Sequence, residues 1–259
     1  MKKIEIVQFK DQRMNNIEDT VAEECILNLK INSEISFDVI VTPEMIKEFV
    51  YGNLYTEGFI RAKEDIVEYS QQAKENLVQV AVEITEFSKR KDFFRKNYNI
   101  VWTECGSGSE IRRLSDQMKP LISKLQIKAQ DILDISGKIK DKIILFKQTG
   151  AFHYAFLFDK NMTLENHAYD IGRHNAVDKV VGGVLLNSGI LDDKILFITG
   201  RISSDIVMKC LRAKIPFVIS RGAPLATAVE LAKKYKICLI GFLRGKRFNI
   251  YSNHEAIIQ

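Results

Sequence analysis

The segment Asp170-Ile-Gly-Arg-His-Asn-Ala-Val-Asp-Lys179 lies between an alternating apolar strand, 165–169, and a helix predicted over 175–186. A glycine and an arginine follow the strand directly, and the helix begins within the same segment. Strand-to-helix junctions of this kind are typical of α/β sheets, whose loops gather at the carboxyl ends of the strands. The segment therefore decides the fold prediction for the second half of the chain.

The same alternation continues on both sides of this segment. Strands are predicted over 152–158, 165–169, 194–199, 217–220 and 237–242, with an edge strand over 248–251. Helices are predicted over 175–186, 203–213 and 225–235, and before the sheet over 115–125 and 130–146. This order predicts a mostly parallel sheet that is covered by helices on both faces.

The first half of the chain is predicted to form a small α+β domain. Alternating apolar residues indicate strands over 4–9, 20–31, 35–41, 66–69 and 77–82. Thr42 and Pro43 give a helix-start signal, as N-cap and first helical residue, and Gly58 ends that helix. The predicted class is α/β, α+β overall, with an N-terminal domain over 1–112 and an α/β domain over 113–259.

Composition and charge exclude several classes of protein. The 259 residues are 46% hydrophobic and 27% charged, which excludes wholesale disorder. The net charge of +5 suits an anionic ligand, but the basic residues are interspersed with acids, so no nucleic-acid partner is expected. No apolar run is long enough to cross a bilayer and the start of the chain alternates, so we expect no membrane association and a cytoplasmic location.

The cysteines are scattered, and none belongs to a C-x-x-C pair, which argues against a disulfide framework and a zinc ribbon. Cys25, Cys210 and Cys238 lie among apolar residues, where a thiol behaves as a small hydrophobic group. Cys105 lies instead in Trp102-Thr-Glu-Cys-Gly-Ser-Gly-Ser-Glu110, a composition that predicts an exposed loop. Cys105 is therefore either a reactive nucleophile or an incidental surface cysteine.

Glycine and arginine recur at the ends of the predicted strands in the second half. Each of four successive junctions contains a glycine and an arginine, and the arginines are Arg173, Arg201, Arg221 and Arg244. Guanidinium groups and free N–H groups at helix starts are typical of phosphate sites, and glycine lets the backbone approach a ligand. The pattern favours an anionic, nucleotide-like ligand; ordinary turn chemistry is the alternative.

His174 follows the first of these arginines and allows several roles. It could be a neutral structural hydrogen-bonding group, a donor to phosphate or a proton shuttle, and a hydrolase that uses it is the least favoured option. His153, within an apolar strand, is predicted to be a core residue. The sequence has no G-x-S-x-G elbow, Walker A motif or G-x-G-x-x-G motif, so common hydrolase, ATPase and dinucleotide oxidoreductase classes have little support.

Taken together, these segments resemble the FdhD/NarQ family, the formate dehydrogenase accessory sulfurtransferases. The resemblance covers nearly the whole chain and is carried by these residues: Val21 to Glu24, Thr42-Pro43, Leu54 to Ile60, Cys105-Gly106, Thr149-Gly150, His153, Asp170 to Lys179, Thr199 to Ser203, Ser220, Ala223-Pro224 and Gly241 to Tyr251. The run from Asp170 to Lys179, combined with the later Arg-Gly-Lys-Arg, is the most specific part.

The resemblance implies a function in which sulfur passes through this protein. It would accept sulfur from a cysteine desulfurase as a persulfide on Cys105, which matches the family's persulfide cysteine. It would then transfer that sulfur to a molybdenum bis-guanine-dinucleotide cofactor destined for formate dehydrogenase. A chaperone that binds the cofactor through its guanine nucleotides without handling sulfur is the alternative. A homodimer is also implied.

The candidate cofactor-binding residues come from two sources. The resemblance assigns one segment to the cofactor: Phe242, Leu243, Arg244, Gly245, Lys246 and Arg247. The junctions of the predicted sheet add a second group: Arg173, His174, Arg201, Ser203 and Ser220. No metal ligands are predicted.

The family's second domain resembles cytidine deaminase in fold, but a zinc deaminase needs H-x-E and P-C-x-x-C motifs. This chain has His174-Asn-Ala176 and the segment 200–204 in those places, so we expect neither deamination nor zinc. Two departures from the family pattern matter. Gly108 replaces the second cysteine of the usual C-G-x-C-G loop, and Arg221-Gly222 replaces small residues and serine. A single thiol that carries sulfur is still sufficient for transfer.

Overall fold

The computed structural model describes residues 1–85, 87 and 118–259. The first part contains the strands β1 (Lys2–Lys10), β2 (Arg13–Val21), β3 (Cys25–Ile31), β4 (Ile35–Val41), β5 (Ile66–Lys74) and β6 (Leu77–Ile84), with helix α1 (Ile46–Thr56). Strands β1 and β2 form a separate antiparallel hairpin. The other four strands form a sheet in the order β4-β3-β6-β5, and α1 packs on its buried face.

Residues 118–259 form the larger part of the fold. Its helices are α2 (Ala129–Leu133), α3 (Ile135–Lys138), α4 (Ile144–Thr149), α5 (Arg173–Leu186), α6 (Ser204–Arg212) and α7 (Ala226–Tyr235). Its strands are β7 (Ile127–Lys128), β8 (His153–Phe158), β9 (Leu164–Asp170), β10 (Ile195–Ile198), β11 (Phe217–Ser220), β12 (Cys238–Arg244), β13 (Arg247–Ser252) and β14 (Ile257–Ile258). Six of these strands form one sheet in the order β13-β12-β11-β10-β8-β9.

Both faces of the six-stranded sheet are buried, as predicted. Alternate residues of a strand belong to two different core clusters, because successive side chains point to opposite faces. Ala155 and Leu157 pack with α5, α6 and α7, whereas Tyr154, Phe156 and Phe158 pack with residues of α2 and α3. The mixed α+β architecture is therefore confirmed.

The prediction of a mostly parallel sheet is wrong. Only the β10–β11 and β11–β12 pairs are parallel, and the β8–β10, β8–β9 and β12–β13 pairs are antiparallel. A short turn joins β8 to β9 and another joins β12 to β13, and connections that short can link only antiparallel strands. Strand β9 nevertheless runs in the same direction as β10, because both are antiparallel to β8. The carboxyl ends of β9, β10, β11 and β12 therefore meet at one edge, together with the start of β8.

Two predicted elements are interrupted. The strand predicted over 20–31 is broken by exposed residues Glu23 and Glu24, so its two parts belong to different sheets. The helix predicted over 130–146 is replaced by α2, α3 and the start of α4, with a non-helical backbone at Ile143 (φ −96°, ψ 34°). Its apolar spacing is real, because Ile132 and Ile135 are fully buried, but short turns satisfy that spacing as well as one long helix does.

Two helix starts also differ from the predictions. No helix is present over 118–125, the described part of the predicted helix 115–125. Helix α1 begins at Ile46, after Met45 in a left-handed conformation (φ 57°), rather than at Thr42 and Pro43. Thr42 does not cap the helix, because its hydroxyl instead accepts a hydrogen bond from the backbone of Ile171. The domain boundary at 112/113 falls outside the described residues.

Helices α1 and α5 cross in very close contact, which fixes the N-terminal sheet against the second domain. A Cβ atom on Gly52 would lie 1.8 Å from the carbonyl oxygen of Asp178, and one on Gly182 would lie 1.8 Å from that of Glu48. Only glycine lets two helix backbones approach this closely. Within the described residues, no helix is long and apolar enough to cross a membrane.

A buried ionic cluster lies beside this crossing. Lys209 of α6 bonds Asp178 of α5 at 2.8 Å and Glu57, at the end of α1, at 2.7 Å. The Thr56 hydroxyl donates to Asp178 at 2.6 Å, and Arg212 donates to the Thr56 carbonyl oxygen at 2.7 Å. Three helices are thus joined by charges that are almost completely removed from water.

Candidate functional site

The predicted junctions converge on one edge of the six-stranded sheet. The arginine edge, as we name it, consists of His153 and the segments 171–174, 199–203, 220–224 and 242–247. The segments lie at the carboxyl ends of β9, β10, β11 and β12, and His153 begins β8. Loops at the carboxyl ends of strands are where open α/β sheets bind their ligands.

Close backbone contacts join the neighbouring segments of the arginine edge. A Cβ atom on Gly200 would lie 3.1 Å from Cβ of Arg173 and 3.3 Å from Nδ1 of His153. A Cβ atom on Gly222 would lie 2.9 Å from the carbonyl oxygen of Gly200. Gly200 and Gly222 therefore let the segments 171–174, 199–203 and 220–224 touch. Arg173, at the start of α5, and His153, at the start of β8, become neighbours.

Ser220 and Ser203 hold segments of the edge in place. The Ser220 hydroxyl donates to the Gly200 carbonyl oxygen at 2.5 Å and accepts from the backbone N–H of Gly222 at 2.8 Å. Ser220 is fully buried and Ser203 is 3% exposed, at the N-cap of α6. Both residues lie at the edge, but their side chains stabilise its loops from beneath.

Phe242 has an unusual backbone for an aromatic residue. Its φ of 54° is left-handed, at a bulge where the β12–β13 register shifts, and its N–H donates to the Gly222 carbonyl oxygen at 3.0 Å. A non-glycine residue in this conformation carries strain of the kind found at functional sites. Arg244 lies over the Phe242 ring, 5.6 Å from the ring centroid, and donates through Nε to the Arg221 carbonyl oxygen at 3.4 Å.

The remaining predicted binding residues differ in what they present to solvent. Leu243 is 1% exposed and belongs to the core below the sheet, so its side chain does not face a ligand. The basic side chains that are exposed at this edge are those of Arg201, Arg221, Arg244, Lys246 and Arg247. Lys246 and Arg247 lie in and after the tight turn at Gly245, whose φ is 57°. The arginine edge therefore offers an accessible cationic surface.

Within the arginine edge, His174 lies on the side of the buried ionic cluster, near Lys209 and Glu57. Its Nε2 atom is 2.8 Å from Oγ of Ser203 and 4.0 Å from a carboxylate oxygen of Asp205. Burial, and then the adjacent charge of Arg173, lowers the pKa of His174 to about 3. The imidazole is therefore neutral at physiological pH.

This arrangement does not support a hydrolase. In a catalytic triad the carboxylate and the nucleophile contact opposite nitrogens of the imidazole. Here the same nitrogen of His174 faces both Ser203 and Asp205. Ser203 is also committed to capping α6, where it accepts from the backbone N–H of Ile206 at 3.5 Å.

His153 is not simply a core residue, as the sequence suggested. It is half-buried at the edge, and burial followed by the charge of Arg173 lowers its pKa. The role of Thr42, whose hydroxyl holds the backbone at Ile171 of the edge, was also missed. Its helix-start signal concealed that role, because Thr before Pro is equally typical of an N-cap.

The cysteines of the described residues are structural. Cys210 and Cys238 are fully buried and Cys25 is 5% exposed. Burial raises the pKa of the Cys238 thiol to about 12 and also raises the pKa values of Cys25 and Cys210. Such thiols are poor nucleophiles, as predicted from their apolar neighbours. Cys105 and its loop lie outside the described residues.

Metal binding was not predicted for this chain. Within residues 1–85, 87 and 118–259, His, Cys, Asp and Glu side chains form no group of three that could hold an ion. That the protein contains no zinc stays a prediction.

Known proteins resemble this chain over its full length. A curated sulfur carrier protein FdhD from Bacillus pumilus is 32% identical, with 100% of this chain and 98% of that protein covered. Another from Staphylococcus aureus is 31% identical, covering 98% and 95%. The crystal structure of a protein described as a formate dehydrogenase accessory protein, from Desulfotalea psychrophila, has a TM-score of 0.79 at 25% identity, with 99% of each chain covered.

These similarities agree with a match to a whole protein family. The FdhD/NarQ family model matches residues 22–258, which include every segment of the arginine edge and Cys105. The shared length, the fold and the family match lead to one conclusion: the chain belongs to the FdhD/NarQ family.

Proposed function

We propose that this protein is a sulfur carrier for formate dehydrogenase, which accepts sulfur on Cys105 and passes it to a guanine-nucleotide cofactor at the arginine edge. The names of its relatives support the sulfur-carrier role and the link to formate dehydrogenase. The proposal that the protein binds this cofactor depends on one observation: the glycine–arginine segments converge on one edge of the sheet. The cargo is a molybdenum bis-guanine-dinucleotide cofactor.

The chemistry of the arginine edge suits a ligand with two pyrophosphates. Guanidinium groups pair with phosphate oxygens through two parallel hydrogen bonds, and Arg201, Arg221 and Arg244 are exposed at neighbouring loops. The glycines at 200 and 222 let the loops that carry these arginines pack closely together. Arg244 lies over one face of the half-buried Phe242 ring, and we place a guanine base against the other face.

The sulfur step uses a single thiol. The Cys105 thiolate attacks the outer sulfur of a persulfide on a cysteine desulfurase, so that a new S–S bond forms as the old one breaks and the desulfurase cysteine leaves as a thiolate. Transfer of the outer sulfur to the cofactor returns Cys105 to a thiolate. The transferred sulfur atom is at oxidation level zero. Its conversion to sulfide requires two electrons, which come from the acceptor or from an added thiol. We expect this cycle in a cytoplasmic homodimer.

The runner-up is a chaperone that binds the cofactor and does not handle sulfur. It is favoured by one fact: no cysteine is among the residues of the arginine edge. The two proposals separate in cells that depend on this protein for active formate dehydrogenase. A pure chaperone would tolerate Cys105→Ala and fail with Arg244→Ala, whereas a sulfur carrier would fail with both.

The sulfur-carrier proposal is tested on the purified full-length protein. It is incubated with a cysteine desulfurase and cysteine, digested without reductant, and the peptides are weighed. We expect the mass of one added sulfur atom on the Cys105 peptide and none on the peptides of Cys25, Cys210 and Cys238, whose thiols are buried. Sulfur on other peptides but not on Cys105 would rule the proposal out.

A further inference from the structure

The β4–α1 corner and the β9–α5 turn of the arginine edge are joined by reciprocal hydrogen bonds. The backbone N–H of Thr42 donates to Oδ2 of Asp170 at 3.0 Å, and the backbone N–H of Ile171 donates to Oγ1 of Thr42 at 3.0 Å. Thr42 is 1% exposed and Asp170 is fully buried, so water cannot replace these partners. Each domain therefore satisfies a backbone group of the other.

Lys179 completes this junction. Its ammonium group lies 2.6 Å from Oδ2 of Asp170 and donates to the Thr42 carbonyl oxygen at 3.0 Å. Lys179 is fully buried, and the pair leaves no uncompensated charge inside the protein. The Lys179 ammonium group thus fixes the contacts of Asp170 and Thr42, because this charge stays with its partners here rather than move to solvent at a large cost in free energy.

The two backbone N–H groups that precede Arg173 are both held by this junction. Thr42 accepts from Ile171, and Oδ1 of Asp170 accepts from Gly172 at 2.8 Å. A Cβ atom on Gly172 would lie 3.3 Å from the same carboxylate oxygen, so the turn is tightly wound around it. The path of the chain into Arg173 is therefore determined by one side chain of each domain.

We propose that Thr42 is a positioning residue for the nucleotide site: through its hydroxyl group, the N-terminal domain fixes the turn that sets the position of Arg173 for binding phosphate. Thr42 itself lies beneath the turn and does not touch the ligand. This inference rests on the proposed function, since it takes a guanine nucleotide at the arginine edge as its ligand.

Removal of the hydroxyl acceptor has a specific consequence. Valine has nearly the shape of threonine but accepts no hydrogen bond, so Thr42→Val leaves the half-buried N–H of Ile171 without its partner. The turn must then shift to find another partner. A small displacement is enough to spoil the paired hydrogen bonds between a guanidinium group and phosphate.

The experiment compares binding with stability. The affinity of guanosine diphosphate for folded full-length protein is measured by calorimetry, and stability by chemical denaturation. We expect Thr42→Val to bind roughly tenfold more weakly, equivalent to one hydrogen bond. Thr42→Ser keeps the acceptor and should restore binding. Thr42→Ala removes the same acceptor without a branched side chain, and it replaces the valine variant if that variant does not fold.

Thr56→Val is the matched control. Thr56 is fully buried, also joins the two domains, and donates to Asp178 at 2.6 Å, but it does not contact the β9–α5 turn. This variant should lose stability and keep wild-type affinity. The inference is overturned if Thr42→Val binds as tightly as wild type, or if Thr56→Val weakens binding as much as Thr42→Val. Absence of binding by wild type would instead refute the nucleotide site of the proposed function.

Discussion

The Nε2 atom of His174 lies 2.8 Å from Oγ of Ser203, so the first turn of α5 is hydrogen-bonded to the residue that caps α6. This contact joins the amino-terminal ends of two helices that both begin at the arginine edge. Lys209 of α6 lies behind them, in the buried ionic cluster. The imidazole thus has a fixed protein partner, and its charge state affects stability.

Acid should destabilise the protein partly through His174. Burial and Arg173 lower its folded-state pKa to about 3, below the value of about 6.5 in an unfolded chain. Between these values the unfolded chain binds more protons, so the His174 contribution is complete above about pH 6.5 and falls as the pH drops toward 3. Between pH 7.5 and pH 5, the unfolding free energy of His174→Gln should fall by about 2 kcal/mol less than that of the wild type, as measured by denaturation at each pH. Equal losses would contradict a neutral imidazole in the folded protein.

Lys209 should be one of the most costly residues to replace. Burial alone would lower its pKa, but Asp178 and Glu57 outweigh that effect and raise it, so the ammonium stays charged. Lys209→Met leaves those carboxylates without their main partner and should cost about 3 kcal/mol or more of unfolding free energy. Lys214→Met is the control, since its contact with Asp192 is 3.7 Å long and exposed, and should cost less than about 0.5 kcal/mol. Similar losses in both variants would show that the cluster contributes little.

A methyl group at the helix crossing should force α1 and α5 apart. A Cβ atom on Gly182 would lie 1.8 Å from the Glu48 carbonyl oxygen, and helix backbone cannot move aside as a flexible side chain can. Gly182→Ala should therefore lower the unfolding free energy by about 3 kcal/mol or more. Gly137→Ala in α3 is the comparison, because nothing lies within 4 Å of its added Cβ and alanine favours helix. Similar melting temperatures of the two variants in a thermal shift assay would refute the tight crossing.

The sequence predicts many of the strands and helices, but it predicts little of how the strands pair. Alternation predicts β3 and β4, and the predicted turn Asn32-Ser33 lies in the three-residue connection 32–34 between them, with both residues at positive φ. Periodicity cannot reveal strand direction, however, so the antiparallel position of β8 was missed. It also cannot distinguish one helix over 130–146 from short helical turns that bury the same isoleucines.

The candidate site was predicted at the level of loops and less well at the level of side chains. Glycine and arginine mark the segments that meet at the edge, because a parallel core of strands brings successive carboxyl ends together. Leu243 and Ser220 belong to those segments, but their side chains point inward. The partnership of Thr42 with Asp170 joins residues far apart in sequence, and no local pattern records such a contact.

The arginine edge is tested most directly by protection from heat. Guanosine diphosphate should raise the melting temperature of the wild-type protein by several degrees. Arg247→Ala should remove that shift, because it deletes a cation of the edge. Lys160→Ala should keep it, because this exposed lysine lies in the β8–β9 turn at the opposite end of the sheet. Protection that is absent in wild type, or unchanged in Arg247→Ala, would contradict the assignment of the arginine edge as the nucleotide site.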